Sequence, residues 1–286
     1  MTEKMTLITG ATGKTGRRVA DRLRASQRVV RAGSRSGHPA FDWEDRTTWP
    51  KALDGVDAVY LTYYPDLAAP GAVDAVTAFV AMAVAARVRR LVLLSGRGEP
   101  EAQRCEEVVA ASGLEWTVVR ASWFNQNFSE NYFLDPILAG HVALPAGPVS
   151  VPFVDADDIA DVAAAALLED RHVGQLYELT GRRPWTFEQA IGEIARVTGR
   201  DIRYEQIAAD AYAAMLEEAQ VPADVVALIL YLFREVLVER NGSVADGVER
   251  ALGRPSRRFE DYVRDVAATG VWTPLPITPT QGGSNR

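Results

Sequence analysis

Short, mostly apolar runs punctuate the first half of the chain, at Met5 to Thr9, Arg28 to Gly33, Ala58 to Thr62, Leu91 to Ser95 and Trp116 to Arg120. Between them lie segments whose apolar positions recur at helical spacing, after the first run as far as Leu23, from Ala72 to Ala86 and from Glu101 to Ser112. Runs of Val and Leu without polar alternation mark strands covered on both faces. Strands of that kind alternating with helices predict an α/β fold, a doubly wound parallel sheet of Rossmann-like type, over residues 1–120. Ligands of such sheets bind at the carboxyl ends of the strands.

The rhythm changes after Ala121. A helix is expected up to Ala139, short extended pieces near Val142 to Val154, and helices at Asp157 to Leu168, Phe187 to Thr198, Ala208 to Ala219 and Ala223 to Glu239. Residues 121–271 thus read as a mixed, mainly helical region that covers the substrate and packs on the same unit. Residues 272–286, rich in Pro, Thr and Gly, read as a flexible tail.

The first strand runs directly into Gly10-Ala11-Thr12-Gly13-Lys14-Thr15-Gly16 and then a helix. Gly10 lets the chain turn sharply, Gly13 lets backbone approach a diphosphate, and Gly16 lets helix and sheet lie close. N–H groups at the helix start then face the phosphates. Gly10, Thr12, Gly13, Lys14, Thr15 and Gly16 are therefore candidate cofactor residues. A P-loop reading fails on spacing, because that motif requires glycine where Ile8 stands.

Charge and composition narrow the partners. The net charge of −7 is spread along 286 residues and offers no basic face to nucleic acid. The apolar stretches around Ala72 to Val88 and Val225 to Val238 are interrupted by Asp74, Arg87 and Arg234, which argues for buried helices and against membrane spans. No secretory signal is read at the N-terminus, and the single Cys105 excludes an internal disulfide, so a cytoplasmic protein is expected. The neighbours of Cys105 suggest an ordinary exposed helix turn. His38, His141 and His172 are scattered without metal-ligand spacing, and no metal is expected. Asp155, Asp157 and Asp158 precede an apolar helical stretch, which suits an N-cap and a first turn.

The end of the second strand bears on the coenzyme. A carboxylate there would bind a ribose diol and repel a 2′-phosphate, whereas this chain reads Ala32-Gly33-Ser34-Arg35-Ser36. Ser34 and Arg35, with Lys14 near the same edge, favour NADP(H), with NAD(H) as the alternative. Farther along, Trp123, Phe124 and Phe128 offer flat apolar surface and Asn125 and Asn127 offer orienting amides where the sheet gives way to its cover. Arg97 is placed to pair with a phenolate or with the diphosphate.

These motifs together resemble the NmrA-like branch of the atypical short-chain dehydrogenases, close to bacterial proteins similar to ergot-alkaloid reductases and to polyketide-tailoring quinone reductases. The likeness rests on the glycine turn, Phe41-Asp42-Trp43, Val92-Leu93-Leu94-Ser95, Gly113-Leu114-Glu115-Trp116-Thr117-Val118-Val119-Arg120, Ser122-Trp123-Phe124 with Asn127-Phe128, Val151-Pro152-Phe153-Val154-Asp155-Ala156-Asp157-Asp158-Ile159-Ala160, and Tyr177-Glu178-Leu179-Thr180-Gly181. The resemblance implies that Asp42 contacts the adenine amino group, that Thr62 and Tyr63 run beside the ribose, and that Ser95 and Gly96 lie at the coenzyme. Ser95 is then the candidate catalytic residue, bonding the acceptor oxygen. No flavin is implied.

The superfamily's familiar proton donor is a tyrosine tuned by a lysine four residues on, but lysine occurs here only at Lys4, Lys14 and Lys51. Without that acid a conjugated acceptor is expected, since hydride addition to it leaves a weakly basic product. The leading expectation is an NAD(P)H-dependent reductase of a quinonoid or conjugated aromatic small molecule in polyketide-type metabolism. A variant lets oxygen hydroxylate the reduced product, a net monooxygenase. A redox sensor without turnover and an iminium or enone reductase, served by acids such as Glu130 and Asp135, remain open beside it.

Overall fold

The computed structural model describes residues 4–274. The chain alternates as expected through β1 (Met5–Thr9), α1 (Lys14–Ala25), β2 (Val29–Gly33), α2 (Trp49–Leu53), β3 (Val56–Leu61), α3 (Ala72–Ala85), β4 (Arg90–Gly96), α4 (Pro100–Ala110) and β5 (Glu115–Ala121). It continues through α5 (Leu134–Ala139), β6 (His141–Leu144), α6 (Ala156–Leu168), β7 (Gln175–Leu179), α7 (Phe187–Thr198) and β8 (Arg203–Gln206). Four helices follow, α8 (Ala209–Glu218), α9 (Ala223–Tyr231), α10 (Gly247–Leu252) and α11 (Phe259–Ala268).

A six-stranded sheet of order β2-β1-β3-β4-β5-β7 forms the centre, and every pairing in it is parallel. Its strands read as apolar runs because both faces are covered. One face packs Ile8, Tyr60, Val92 and Val119 against Val19 and Leu23 of α1 and Ile159, Val162 and Ala163 of α6. The other packs Leu7, Val59, Leu61 and Leu93 against Trp49 of α2, Phe79 of α3 and Cys105 of α4. Cys105 is therefore core and not the exposed turn its charged neighbours suggested. Burial pushes its thiol up to about 11, which makes it inert.

The expected boundary at residue 120 cuts this sheet, because β7 from beyond it supplies the sixth strand and α6 lies against α1. The covering region has its own aromatic core, in which Phe128, Phe153, Phe187, Phe233, Phe259 and Trp272 meet, and a small parallel sheet of β6 and β8. The helix expected from Ala223 to Glu239 stops at Tyr231, where the chain widens into a π turn over Leu232–Val236. Trp272, first residue of the expected tail, is 1 % exposed, and its indole N–H donates to Phe128 O at 2.8 Å. Residues 275–286 of that tail lie outside the described residues.

The sheet order reverses at β1, with β2 on one side and β3 on the other. The crevice between the carboxyl ends of β1 and β3 is where such a sheet receives a ligand. No helix among the described residues is long and apolar enough to cross a membrane.

Candidate functional site

The glycine turn is locked from below. Thr62 N–H donates to Thr9 Oγ1 at 2.7 Å and Thr62 Oγ1 donates to Thr9 O at 2.9 Å, tying the ends of β1 and β3 together. Gly10, at φ +63°, sits so close that a Cβ would lie 2.5 Å from Thr62 Oγ1. Gly13 N–H donates to Gly10 O at 2.9 Å, and a Cβ on Gly16 would lie 2.1 Å from that same oxygen. Gly13 is the N-cap of α1, with no capping side chain and no acidic residue in the first turn. Among the described residues, no side chain competes for the N–H groups at this helix start, and Thr12 and Gly13 are exposed there. An anionic diphosphate fits this end.

Lys14 stands beside it with its ammonium 5.5 Å from the Tyr132 ring centroid. Burial lowers its pKa to about 8, against the upward pull of Glu130. Glu130 is itself held by Arg17 and Arg18 at 2.5 and 2.6 Å. At the end of β2, Ser34 O accepts from Gly37 and Phe41 N–H, shaping a loop that leaves Arg35 exposed, with no ion pair or side-chain hydrogen bond among the described residues. Asp42 accepts from Glu44 N–H at 3.1 Å, Trp43 Nε1 donates to Thr62 O at 3.1 Å, and the Tyr63 ring stands edge-on to Trp43 at 4.9 Å. The fold thus gathers the glycine turn, Ser34, Arg35, Asp42, Thr62 and Tyr63 along one edge. Thr62 acts there as a latch on β1, with its hydroxyl spent on Thr9.

The β4–β5 half of the edge departs more from expectation. Ser95 is 3 % exposed and its hydroxyl donates to Glu106 at 2.5 Å, while Glu106 is paired with Arg120. The serine is committed to an ion pair under α4, so the structure does not present it to an acceptor. Arg97 is engaged elsewhere, pairing with Glu178 at 2.7 Å and donating to Asn241 O at 2.8 Å and Ser243 O at 2.7 Å, where it clamps a distant loop. Phe128 is 0 % exposed at the centre of the aromatic core, a burial worth about 2–3 kcal/mol, and forms no wall. Phe124 packs on the sheet core, and Asn125 is buried and turned toward Asp155 at 3.4 Å. Trp123, half-buried between Phe187 and Phe233, and the half-buried Asn127 remain.

Two groups at this edge carried no sequence signal. Glu99 lies over Gly96, where a Cβ would meet its carboxyl oxygens at 2.1–2.2 Å, and Asp66 in the loop after β3 reaches it. Burial, then the neighbouring Asp66, push the Glu99 carboxyl well above the usual range, and burial raises Asp66. Neither belongs to a periodic pattern or a motif, and only the juxtaposition of the β3 and β4 ends brings them together.

A cavity of about 490 Å³ opens elsewhere, between α1, α6 and α11, lined by Arg18, Gln126, Glu130, Asp155, Asp157 and Tyr262 among others. Arg18, Glu130 and Asp157 in it are paired with one another, and Gln126 is bonded to Asp155. Asp155 caps α6 as expected, accepting from Asp157 N–H at 2.8 Å. No group of metal-ligating side chains occurs among the described residues.

A family model described as NAD(P)H-binding matches residues 10–170. The chain belongs to the NAD(P)H-binding family. This family member is 34 % identical over 92 % of its length to (4-alkanoyl-5-oxo-2,5-dihydrofuran-3-yl)methyl phosphate reductase of Streptomyces griseus, covering 98 % of that protein. It is 30 % identical to agroclavine dehydrogenase of Claviceps fusiformis, over 91 % of this chain and 96 % of that one. An NADPH-dependent quinone oxidoreductase of Escherichia coli, complexed with NADPH, superposes with a TM-score of 0.75 at 23 % identity, over 92 % of this chain and 99 % of that one. The resemblance to NmrA-like and atypical short-chain reductases holds, as does the Rossmann-like fold.

Proposed function

We propose that this member of the NAD(P)H-binding family reduces a quinonoid or other conjugated aromatic small molecule, with NADPH preferred. The observation that carries the reading is the uncapped start of α1 behind a turn where Gly10 and Gly16 leave no room for a Cβ. Backbone this bare suits a diphosphate, with Lys14 beside it and Arg35 placed for a 2′-phosphate. Residues at the ends of β4 and β5, with Trp123 nearby, would hold the ring end of the coenzyme. When bound, the reduced nicotinamide supplies a hydride. The protein's part is to hold a flat acceptor against that ring, exclude water with the aromatic cover, and orient the acceptor through Asn127 and Tyr63.

Relatives named as a (dihydrofuranyl)methyl phosphate reductase and an agroclavine dehydrogenase support a reductase of small molecules. A place in polyketide-type metabolism, and oxygen-dependent hydroxylation of the reduced product, belong to the same proposal. The acids gathered at the β4 end also favour a second reading, a cationic iminium acceptor. The test is turnover of NADPH and NADH against naphthoquinone, anthraquinone and cyclic iminium panels at controlled oxygen, with coenzyme Kd measured in parallel. NADPH oxidation by the quinones is expected. Tight coenzyme binding without turnover of any acceptor would instead identify a sensor.

A further inference from the structure

At the carboxyl end of β4 two carboxyl groups meet with no donor between them. Glu99 holds the N-cap position of α4, with Pro100 following, yet its side chain makes no capping bond. It folds back over Gly96 instead, is 7 % exposed, and its buried Oε2 accepts from no donor. Asp66, half-buried in the loop after β3, is within hydrogen-bonding reach of it. One oxygen of Asp66, Oδ1, accepts from Ala68 N–H at 2.8 Å, which leaves the other for Glu99. The remaining charged groups bearing on Glu99 are Glu101 and Glu106 of α4, and α9 contributes Tyr231, whose hydroxyl donates to Glu101 at 3.1 Å. Glu101 is paired with Arg104 and Glu106 with Arg120, and Tyr132 stands near Asp66, but among the described residues no cation pairs with Glu99 or Asp66 itself.

Two ionised carboxylates cannot share a site this dry without a cation or donors to offset them. One proton held between them turns the repulsion into a hydrogen bond. Resting on the reductase reading, we propose that the Glu99–Asp66 pair is the proton donor of the reaction, the group that replaces the missing tyrosine and lysine. In the balanced step the acceptor takes one hydride, with its two electrons, from the dihydropyridine coenzyme, the electrons of its π bond move onto its heteroatom, and that atom takes the O–H proton of the pair. The O–H electrons stay on the carboxylate. Half-buried Asp66 faces water and regains the proton from it, closing the cycle.

The experiment uses the full chain and begins without coenzyme. At neutral pH the infrared spectrum of the wild type shows the carbonyl stretch of a protonated, buried carboxyl group, which is lost in both E99Q and D66N and kept in E101Q. NADPH Kd stays within about twofold in all three variants, since none lies at the diphosphate. With a quinone acceptor, kcat of the wild type falls as pH rises and the pair loses its proton. In E99Q, kcat is about 100-fold lower and that alkaline limb is absent. A wild-type spectrum without a protonated carboxyl, or an E99Q protein with wild-type kcat and pH limb, overturns the donor role alone. A wild type that binds NADPH but reduces no acceptor overturns the reductase reading and the donor role with it.

Discussion

The carboxyl edge of the sheet has two halves with opposite chemistry. On the β2–β1 side stand bare helix N–H groups, Lys14 and an exposed Arg35, and no acid lies in the first turn of α1. On the β4–β5 side Glu99, Asp66 and Glu106 crowd together, and the arginines there, Arg97 and Arg120, are spent on Glu178 and Glu106. The first half suits an anion, and in the second the Glu99 and Asp66 carboxyls, which no cation pairs among the described residues, suit a proton or a cation. In the proposed reading, a dinucleotide across the β1–β3 crevice would set its phosphates toward the first half and its ring toward the second. The division teaches that binding and proton supply are separable here, so each half is open to mutation without the other.

The largest effect is expected at the turn. Gly16→Val would drive a side chain into Gly10 O, abolishing detectable NADPH binding by fluorescence titration and lowering thermal stability as well, because helix and strand must part. Gly13→Val meets that oxygen at an easier 3.2 Å, so coenzyme affinity should fall at least 100-fold with a melting temperature changed by only a few degrees. A Gly13→Val protein with unchanged Kd would erase the distinction between the two halves.

Arg35→Ala sharpens the comparison within the anion-binding half. Loss of a charged hydrogen-bonding partner of the 2′-phosphate should weaken NADPH about tenfold and leave NADH unchanged, by isothermal titration. Equal losses for both would move Arg35 away from the phosphate. A smaller effect follows from Lys14, whose pKa in the free protein is lowered to about 8 by burial. Its charge is present below that value and lost above it, so NADPH affinity should decline severalfold as pH rises through about 8. In Lys14→Arg the decline disappears.

The smallest effect lies at α6, which packs beside α1 but starts in the opposite way, with Asp155 as cap and Asp157 and Asp158 in its first turn. Asp155→Ala should cost about 1–2 kcal/mol, a fall of a few degrees in melting temperature, because the cap is lost and the Gln126 amide is left without its acceptor. NADPH Kd should not change.

Much of this was legible beforehand. The expected first strand coincides with β1, the helix from Phe187 to Thr198 coincides with α7, and the Asp155 cap stands where its spacing placed it. Those features are decided within a few residues, by apolar period and by the chemistry of a turn. Ser95, Arg97 and Phe128 are engaged in ways their local sequence does not announce: Ser95 bonds Glu106, Arg97 bonds Glu178 and a remote loop, and Phe128 is enclosed in the aromatic core. Arg97 reaches Asn241, 144 residues away, and no local pattern announces that contact. The strand β7 and the helix α2 escaped because a short element inside a long irregular stretch carries too few positions to show a period.

The sequence by itself determined the parallel sheet, the glycine turn and the anionic ligand it expects, because strand burial and backbone freedom are local properties of the residues concerned. Only the tertiary structure decided which polar groups face the crevice, since that depends on what lies across from each of them. Glu99 became a partner of Asp66, and Ser95 a partner of Glu106, through packing of elements distant along the chain, where burial and like charge act over ångströms and take no account of sequence order.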